Sequence, residues 1–269
     1  MNIIEDFKLL LNDLKEKFNS EKPIIHDKKD VHGMPEYVLE ADIFSQNHLI
    51  EISKKYHPNY EIISEELNNY HNIAENQSDI VIMDPLDGTH NYLYGLPMWG
   101  VSYTVFSKDR GAMESYIGLP MIDILLEYSE GEIFVHSLNS ESNTRSIKLN
   151  PTEQSLSKQM IAFDNQFYKD PINTKKNYDI LVDNAFTTRI SGSSVFDIAM
   201  LIIGRLNARI WHNTEAYDVA PIFAFLKGEK FTINLYTGHR ASLKDSSIIA
   251  TTDISLYKQL EEIGLTEKL

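Results

Sequence analysis

Apolar residues at Ile3, Phe7, Leu10, Leu11, Leu14 and Phe18 recur at helical spacing and predict an amphipathic helix running to about Phe18. From Glu21 to Pro35 the pattern stops: Lys28-Lys29-Asp30 and Gly33 sit in a polar stretch without period, which reads as a mobile loop. A second helix is expected over Asp42 to Tyr56, carrying Ile43, Leu49, Ile50 and Ile52, then a short strand at Tyr60 to Ile63 that ends at Ser64-Glu65-Glu66. Ile80-Val81-Ile82-Met83 is the apolar run of a buried strand. Val101 to Phe106, Tyr116 to Leu119, Ile124 to Tyr128 and Ile133 to Val135 then form an antiparallel meander broken by Gly, Asp and Pro. Asn139 to Arg145 reads as a polar loop and Asn150-Pro151 as a hinge, dividing the single unit into subdomains of about 1–149 and 150–269. In the second half a strand is expected at Met160 to Phe163, then a long polar segment containing Lys175-Lys176. A helix follows from Val195 to about Ile203, closed by Gly204, and another from Asp218 to about Lys227, followed by Gly228.

Candidate chemistry concentrates where the buried run ends. Asp84-Pro85-Leu86-Asp87-Gly88-Thr89 places two carboxylates, a close backbone approach and a hydroxyl within six residues. Pro85 stops simple continuation of the ladder. Asp84 and Asp87 can then face one cavity, with the Leu86 carbonyl as a third hard oxygen ligand. Gly88 lets a ligand approach the main chain, and Thr89 offers a hydroxyl and N–H groups to a phosphate oxygen or a polarised water. The competing reading is an ordinary Asx-turn at a strand end. Similarly, Asp42 and Asp218 at helix starts read as N-caps, and Glu65-Glu66 as solvated surface.

Composition narrows the classes. With 269 residues, 42% hydrophobic and 24% charged, the chain is an ordinary globular protein with room for a large core. No apolar run reaches the length of a membrane span and the N-terminus lacks the basic start of a signal peptide, so no membrane partner and a cytoplasmic location are expected. The absence of cysteine excludes disulfides, thiolate metal sites and a cysteine nucleophile. A formal charge of -14 argues against a partner gripped by its nucleic-acid backbone. It would also repel an anionic substrate unless divalent cations neutralised the clustered carboxylates. None of the nine histidines makes a zinc-type pair. His90, directly after the turn, is read as structural or solvated rather than as a general acid. Ser193 and Ser194 lack the glycines of a nucleophile elbow, and neither a P-loop nor a dinucleotide fingerprint is present.

The order of these features resembles the inositol monophosphatase superfamily. The resemblance rests on Asp42, Glu65-Glu66, the turn from Asp84 to Thr89 with Asn91-Tyr92, Pro97 and Val101-Ser102, then Arg189 to Ser194 with Asp197-Ile198-Ala199 and Gly204-Arg205-Leu206, and last Tyr217-Asp218-Val219-Ala220. It implies an α/β fold of α+β character, the layered α/β/α/β/α sandwich of the inositol monophosphatase and fructose-1,6-bisphosphatase type. It further implies lithium-sensitive hydrolysis of a small phosphorylated metabolite by water activated at Mg²⁺, with two or three ions and no covalent phosphoenzyme. Carried over by position, Glu65, Asp84 and the Leu86 carbonyl hold one ion, and Asp84, Asp87 and Asp218 a second. Glu65 and Thr89 position the water, while Glu66 and Asp42 are candidates for a third ion or for orienting that water. Gly88 and Thr89 hold the phosphate, and Asp87, Gly192, Ser193, Ser194 and Trp211 face the rest of the substrate. Family members are often dimers, which leaves a homodimer open.

The chain departs from the family pattern on the substrate side. Leu39 stands where a threonine is usual, Tyr217 where a tryptophan is usual, and the glycine-rich stretch around His136 to Arg145 is missing. Trp211 aligns with the carboxylate that grips the ring in inositol-specific members. It either offers the pocket an aromatic face or simply packs beside Ile210. A sugar bisphosphatase, a 3′-phosphonucleotide phosphatase and a catalytically silent binding protein are therefore the alternatives.

Overall fold

In the computed structural model, which describes residues 2–31, 33–67, 69, 78–140, 144–227 and 231–268, the first helix, α1 (Ile3–Ser20), begins where Asn2 accepts the Glu5 N–H at 3.0 Å. The expected loop from Glu21 to Pro35 is instead mostly a hairpin, β1 (Ile25–Val31) and β2 (Met34–Leu39), with Gly33 at φ 81° in its turn. Residues 25–28 are exposed, so no buried face imprints an alternating apolar pattern on this segment. Helix α2 (Glu40–Tyr56), β3 (Glu61–Ser64), a single 3₁₀ turn at Glu65–Leu67 and β4 (Ile80–Asp87) follow. Next come α3 (Thr89–Leu93), β5 (Gly100–Ser107), β6 (Gly111–Leu119), β7 (Ile124–Ser129), β8 (Glu132–His136) and β9 (Thr144–Ile147). Part of the polar stretch read as a loop therefore belongs to β9, an exposed edge strand whose polarity suits its position.

The second half contributes β10 (Met160–Ala162), α4 (Pro171–Asn184), β11 (Thr187–Arg189), α5 (Ser194–Ile202), β12 (Ala208–Trp211), α6 (Ala216–Val219), α7 (Ile222–Phe225), β13 (Thr232–Asn234), β14 (Ile248–Thr251) and α8 (Leu256–Glu262). The polar segment around Lys175-Lys176 is thus helix α4, started by Asp170, which accepts the Asn173 N–H at 3.2 Å, and by Pro171. Its buried stripe is Thr174, Asn177 and Leu181, two of them polar, so hydrophobicity alone does not reveal it. The single helix expected from Asp218 splits at Pro221 into α6 and α7, and Gly228 lies outside the described residues.

The strands form a seven-stranded sheet in the order β3-β4-β5-β6-β7-β8-β9 and a five-stranded sheet in the order β11-β10-β12-β14-β13. One face of the larger sheet, through Val81, Met83, Val101, Tyr103 and Tyr116, packs on α1 and α2. The opposite face, through Ile80, Ile82, Ile117 and Leu126, packs with Ala162 and Trp211 of the smaller sheet around α5 and the α6–α7 segment. On the far side of the smaller sheet, Ile161, Ile210 and Ile249 pack with Leu181 of α4 and Leu256 and Leu260 of α8. The layers run α/β/α/β/α. Alternation along β4 shows why: successive apolar residues serve opposite layers. Close approach of α1 to the sheet depends on Gly118, where an added Cβ would overlap Leu11. No helix among the described residues is long and apolar enough to cross a membrane.

Candidate active site

Register places the acidic residues. β3 and β4 run parallel with Ser64 opposite Met83, so Glu65 and Asp84 follow side by side. β4 does not stop before Asp84, as its apolar run suggests. It continues to Asp87 through an irregularity, with Asp84 opposite Ser102 and Asp87 opposite Gly100. Three steps on β4 match two on β5, so the strand bulges at Pro85-Leu86 and turns both carboxylates to one cavity. Gly88 then takes φ 87° and caps α3; a Cβ there would lie 2.9 Å from the Met98 carbonyl. From the other half, β10, β11 and β12 run parallel, and the segments leaving their C-terminal ends bring Asp164, Gly192 and Thr214 to the same place.

The resulting cavity, of about 190 Å³, is lined by Glu65, Glu66, Asp84, Leu86, Asp87, Gly88, Thr89, Gly192, Ser193, Ser194, Trp211 and Asp218. Asp42 alone among the expected residues is not in its wall. It lies fully buried behind it, at the third position of α2, where Oδ2 accepts the Leu39 N–H at 2.7 Å and Oδ1 lies 3.3 Å from Thr89 Oγ1. Thr89 Oγ1 is also 3.0 Å from the Leu86 carbonyl.

Asp84, Asp87 and Asp218 each offer an oxygen, all within 4.8 Å of one another. Each of the three carboxylates is also held by hydrogen bonds. Asp218 Oδ2 accepts from Thr214 Oγ1 at 2.9 Å and from the Glu215 N–H at 3.0 Å. Asp87 Oδ2 accepts from the Val195 N–H at 2.7 Å and from the Ser193 hydroxyl. Asp84 Oδ1 accepts the Leu86 N–H at 3.2 Å. Asp218 is therefore a third-position carboxylate of α6 rather than its N-cap. Burial, then Glu65, holds Asp84 well above the usual carboxylate range; burial, then Glu66, does the same to Glu65. Asp87 is raised to about 7 by burial and by Asp218, against the hydrogen bonds from Ser193 and Val195. Like charges packed this closely away from water ask for cations, and an all-oxygen donor set of this shape suits a hard divalent ion. The residues present fit Mg²⁺.

Trp211 faces away from Ile210, which lies on the other side of β12. It is buried in the central layer, lines the cavity and donates from Nε1 to Ser194 Oγ at 2.9 Å. His90 is anchored: Nε2 lies 3.0 Å from the Pro35 carbonyl and its ring meets Tyr37 edge-on, tying α3 to the hairpin whose Glu36, Tyr37 and Val38 reach the cavity. Asp164, Lys169, Arg209 and Thr214 also line it and were not anticipated. Arg209 alone had a usable signal, a charge inside the apolar strand Ala208–Trp211.

An acidic cavity at the meeting of two sheets gathers carboxylate oxygens from a bulged strand and from a helix start within 4.8 Å, a group that could hold a metal ion. The chain belongs to the inositol monophosphatase family, whose pattern matches residues 7–264. It is similar to the Nus factor SuhB of Haemophilus influenzae, 23% identical over 235 residues that cover 86% of this chain and 84% of that protein. Its fold is that of an IMPase from Thermotoga maritima, with TM-score 0.75, 19% identity and coverage of 98% of each chain. An IMPase/NADP phosphatase complexed with Mg²⁺ and phosphate superposes with TM-score 0.71 at 20% identity, covering 98% of this chain and 95% of that one.

Proposed function

We propose that the protein is a Mg²⁺-dependent phosphomonoesterase acting on a small phosphorylated metabolite. The observation that carries this reading is the convergence of Asp84, Asp87 and Asp218 oxygens within 4.8 Å in a buried cavity already crowded by Glu65 and Glu66. Glu65, Asp84 and the Leu86 carbonyl would hold one ion, and Asp84, Asp87 and Asp218 another, with Glu66 beside them. Bound Mg²⁺ would neutralise the carboxylates and supply the positive charge that stabilises the attacking and leaving oxygens of an in-line displacement. Asp42 Oδ1 can draw the Thr89 hydroxyl proton, turning the oxygen lone pair of Thr89 toward an attacking water. The N–H groups of Gly88 and Thr89, at the start of α3, serve the phosphate. Ser193 and Val195 keep Asp87 oriented, so the 150–269 half both braces the metal side and forms the wall facing the rest of the substrate.

The test is phosphate release from a panel of small phosphate esters with Mg²⁺ and with chelator. Turnover that requires Mg²⁺ and is inhibited by Li⁺ is expected. Calorimetry showing no divalent-cation binding, together with no phosphate release from any ester, would support the catalytically silent alternative instead.

A further inference from the structure

Beyond β12 the chain reaches Asp218 through residues 212–217, and three residues between β10 and the end of α4 grip the first part of that segment. Asp164 Oδ2 accepts the His212 N–H at 3.0 Å, and Lys169 Nζ donates to the Asn213 carbonyl at 3.2 Å. Asn177 of α4 donates from Nδ2 to Nε2 of the His212 ring, 3.0 Å away. Asn213 takes φ 51°, a left-handed conformation that asparagine tolerates. Thr214 then donates from Oγ1 to Asp218 Oδ2 at 2.9 Å, and the Glu215 N–H reaches the same oxygen at 3.0 Å. A few links thus join α4, on the far side of the smaller sheet, to the Asp218 carboxylate.

The His212 ring continues the side of β12 set by Ala208 and Ile210, toward α4, and its centre lies 5.1 Å from that of Phe163. His212 and Asn177 are both buried, and neither lines the cavity. Burial lowers the imidazole pKa to about 4, so the ring is neutral. The Asn177 amide nitrogen can only donate, so Nε2 accepts and the proton sits on Nδ1. Yet His212 Nδ1, Asn177 Oδ1 and, one turn earlier on α4, Thr174 Oγ1 make no directed hydrogen bond among the described residues. Unmet buried polar groups are destabilising, and two apolar side chains of similar shape would fill this space without them. Stability alone does not account for the pair, whereas its place behind the Asp218 segment does.

We propose that His212, held in one tautomer by Asn177, is a positioning residue for Asp218: it fixes the segment after β12 so that Asp218 meets Asp84 and Asp87 at metal-binding distance. The inference rests on the phosphatase reading of the site and deepens it, by placing part of the control of Mg²⁺ affinity in α4, outside the cavity.

The experiment measures Mg²⁺ affinity by calorimetry, the Mg²⁺ midpoint of phosphate release from 4-nitrophenyl phosphate, and Tm without Mg²⁺. The set is wild type, His212→Gln, Asn177→Leu and His212→Leu/Asn177→Leu. In the two leucine variants both Mg²⁺ readouts should weaken by about tenfold, the low end of the effect of residues that orient a metal ligand, while KM for the ester at saturating Mg²⁺ is little changed. His212→Gln, whose amide oxygen can stand in for Nε2, should restore most of the affinity. The double variant should keep a wild-type Tm, because both polar partners leave together. Wild-type Mg²⁺ affinity in Asn177→Leu or in the double variant overturns the role. So does weakening that tracks loss of Tm across the set, with His212→Gln no better than the double variant. If the leucine variants do not fold, Asn177→Ser carries the comparison, and an affinity equal to wild type overturns the role. Absence of phosphate release with Mg²⁺ binding intact sinks the phosphatase reading alone, and calorimetry then decides the role of His212. A wild type that binds no Mg²⁺ sinks both.

Discussion

The two ends of the cavity are built in opposite ways. At the acidic end, Asp84, Leu86, Asp87, Gly88 and Thr89 come from one bulged strand and the helix after it, Glu65 from the 3₁₀ turn that directly follows the neighbouring parallel strand, and Asp218 from α6. At the substrate end, Asp164, Lys169, Arg209, Trp211 and Ser194 come from separate segments that only the five-stranded sheet gathers. The first end concentrates negative charge beyond what the protein alone can offset; the second places cations beside an aromatic wall. The difference teaches that most of the acidic cluster is local in sequence, with Asp218 alone of the Asp84, Asp87 and Asp218 group brought from the second half, whereas the opposite wall depends throughout on packing between distant segments.

The largest effects are expected at the acidic end. Asp218→Asn should lower Mg²⁺-dependent turnover by about 10³-fold, since a lost ligand removes several kcal/mol of transition-state stabilisation. A change below tenfold would show that the two ends do not divide the work as described. Thr89→Ala should lower kcat by about 10²-fold, the scale of general base assistance, with KM little changed. An effect confined to KM would instead make Thr89 a binding group.

Stability sharpens the same contrast. Raised carboxylate pKa values mean that the folded, metal-free protein keeps protons the unfolded chain has released, so Asp87 makes its stability fall as pH rises from about 4 to about 7, and Glu65 and Asp84 act in the same direction. Bound Mg²⁺ would displace those protons. Its stabilisation should therefore be larger at pH 8 than at pH 5, reaching about 2.7 kcal/mol at a hundredfold excess over Kd, or roughly 5–10 °C in Tm. An equal gain at both pH values would place the ion elsewhere. Ser193→Ala should have the smallest effect, about 1 kcal/mol of stability from the lost α5 cap. It should also weaken Mg²⁺ binding measurably, because the same hydroxyl holds Asp87.

Legibility followed the same division. The helices α1 and α2 could be read from their helical spacing, the meander from short apolar runs broken by Gly, Asp and Pro, and the acidic motif because Asp84 to Thr89 are contiguous. Hairpin β1–β2 escaped because residues 25–28 are exposed and residues 35–38 are uniformly half-buried, which leaves no alternating pattern, and α4 because Thr174 and Asn177 occupy positions where apolar residues would have announced a helix. Asp42 was recognised as important but not where it acts: its contact with Thr89 spans 47 positions and exists only once α2 packs beside β4. Arg209 was passed over because a lone charge in a short strand has no periodic partner, and its meaning comes from Trp211 beneath it and the cavity beside it.

The central claim is that the acidic end is a metal-dependent phosphate-cleaving site. Phosphate release from 4-nitrophenyl phosphate, measured across a Mg²⁺ titration for wild type and Asp84→Asn side by side, tests it most directly. Saturable, Mg²⁺-dependent release by the wild type that nearly vanishes in Asp84→Asn is the expected result. Release that is independent of Mg²⁺, or that Asp84→Asn retains in full, would contradict it.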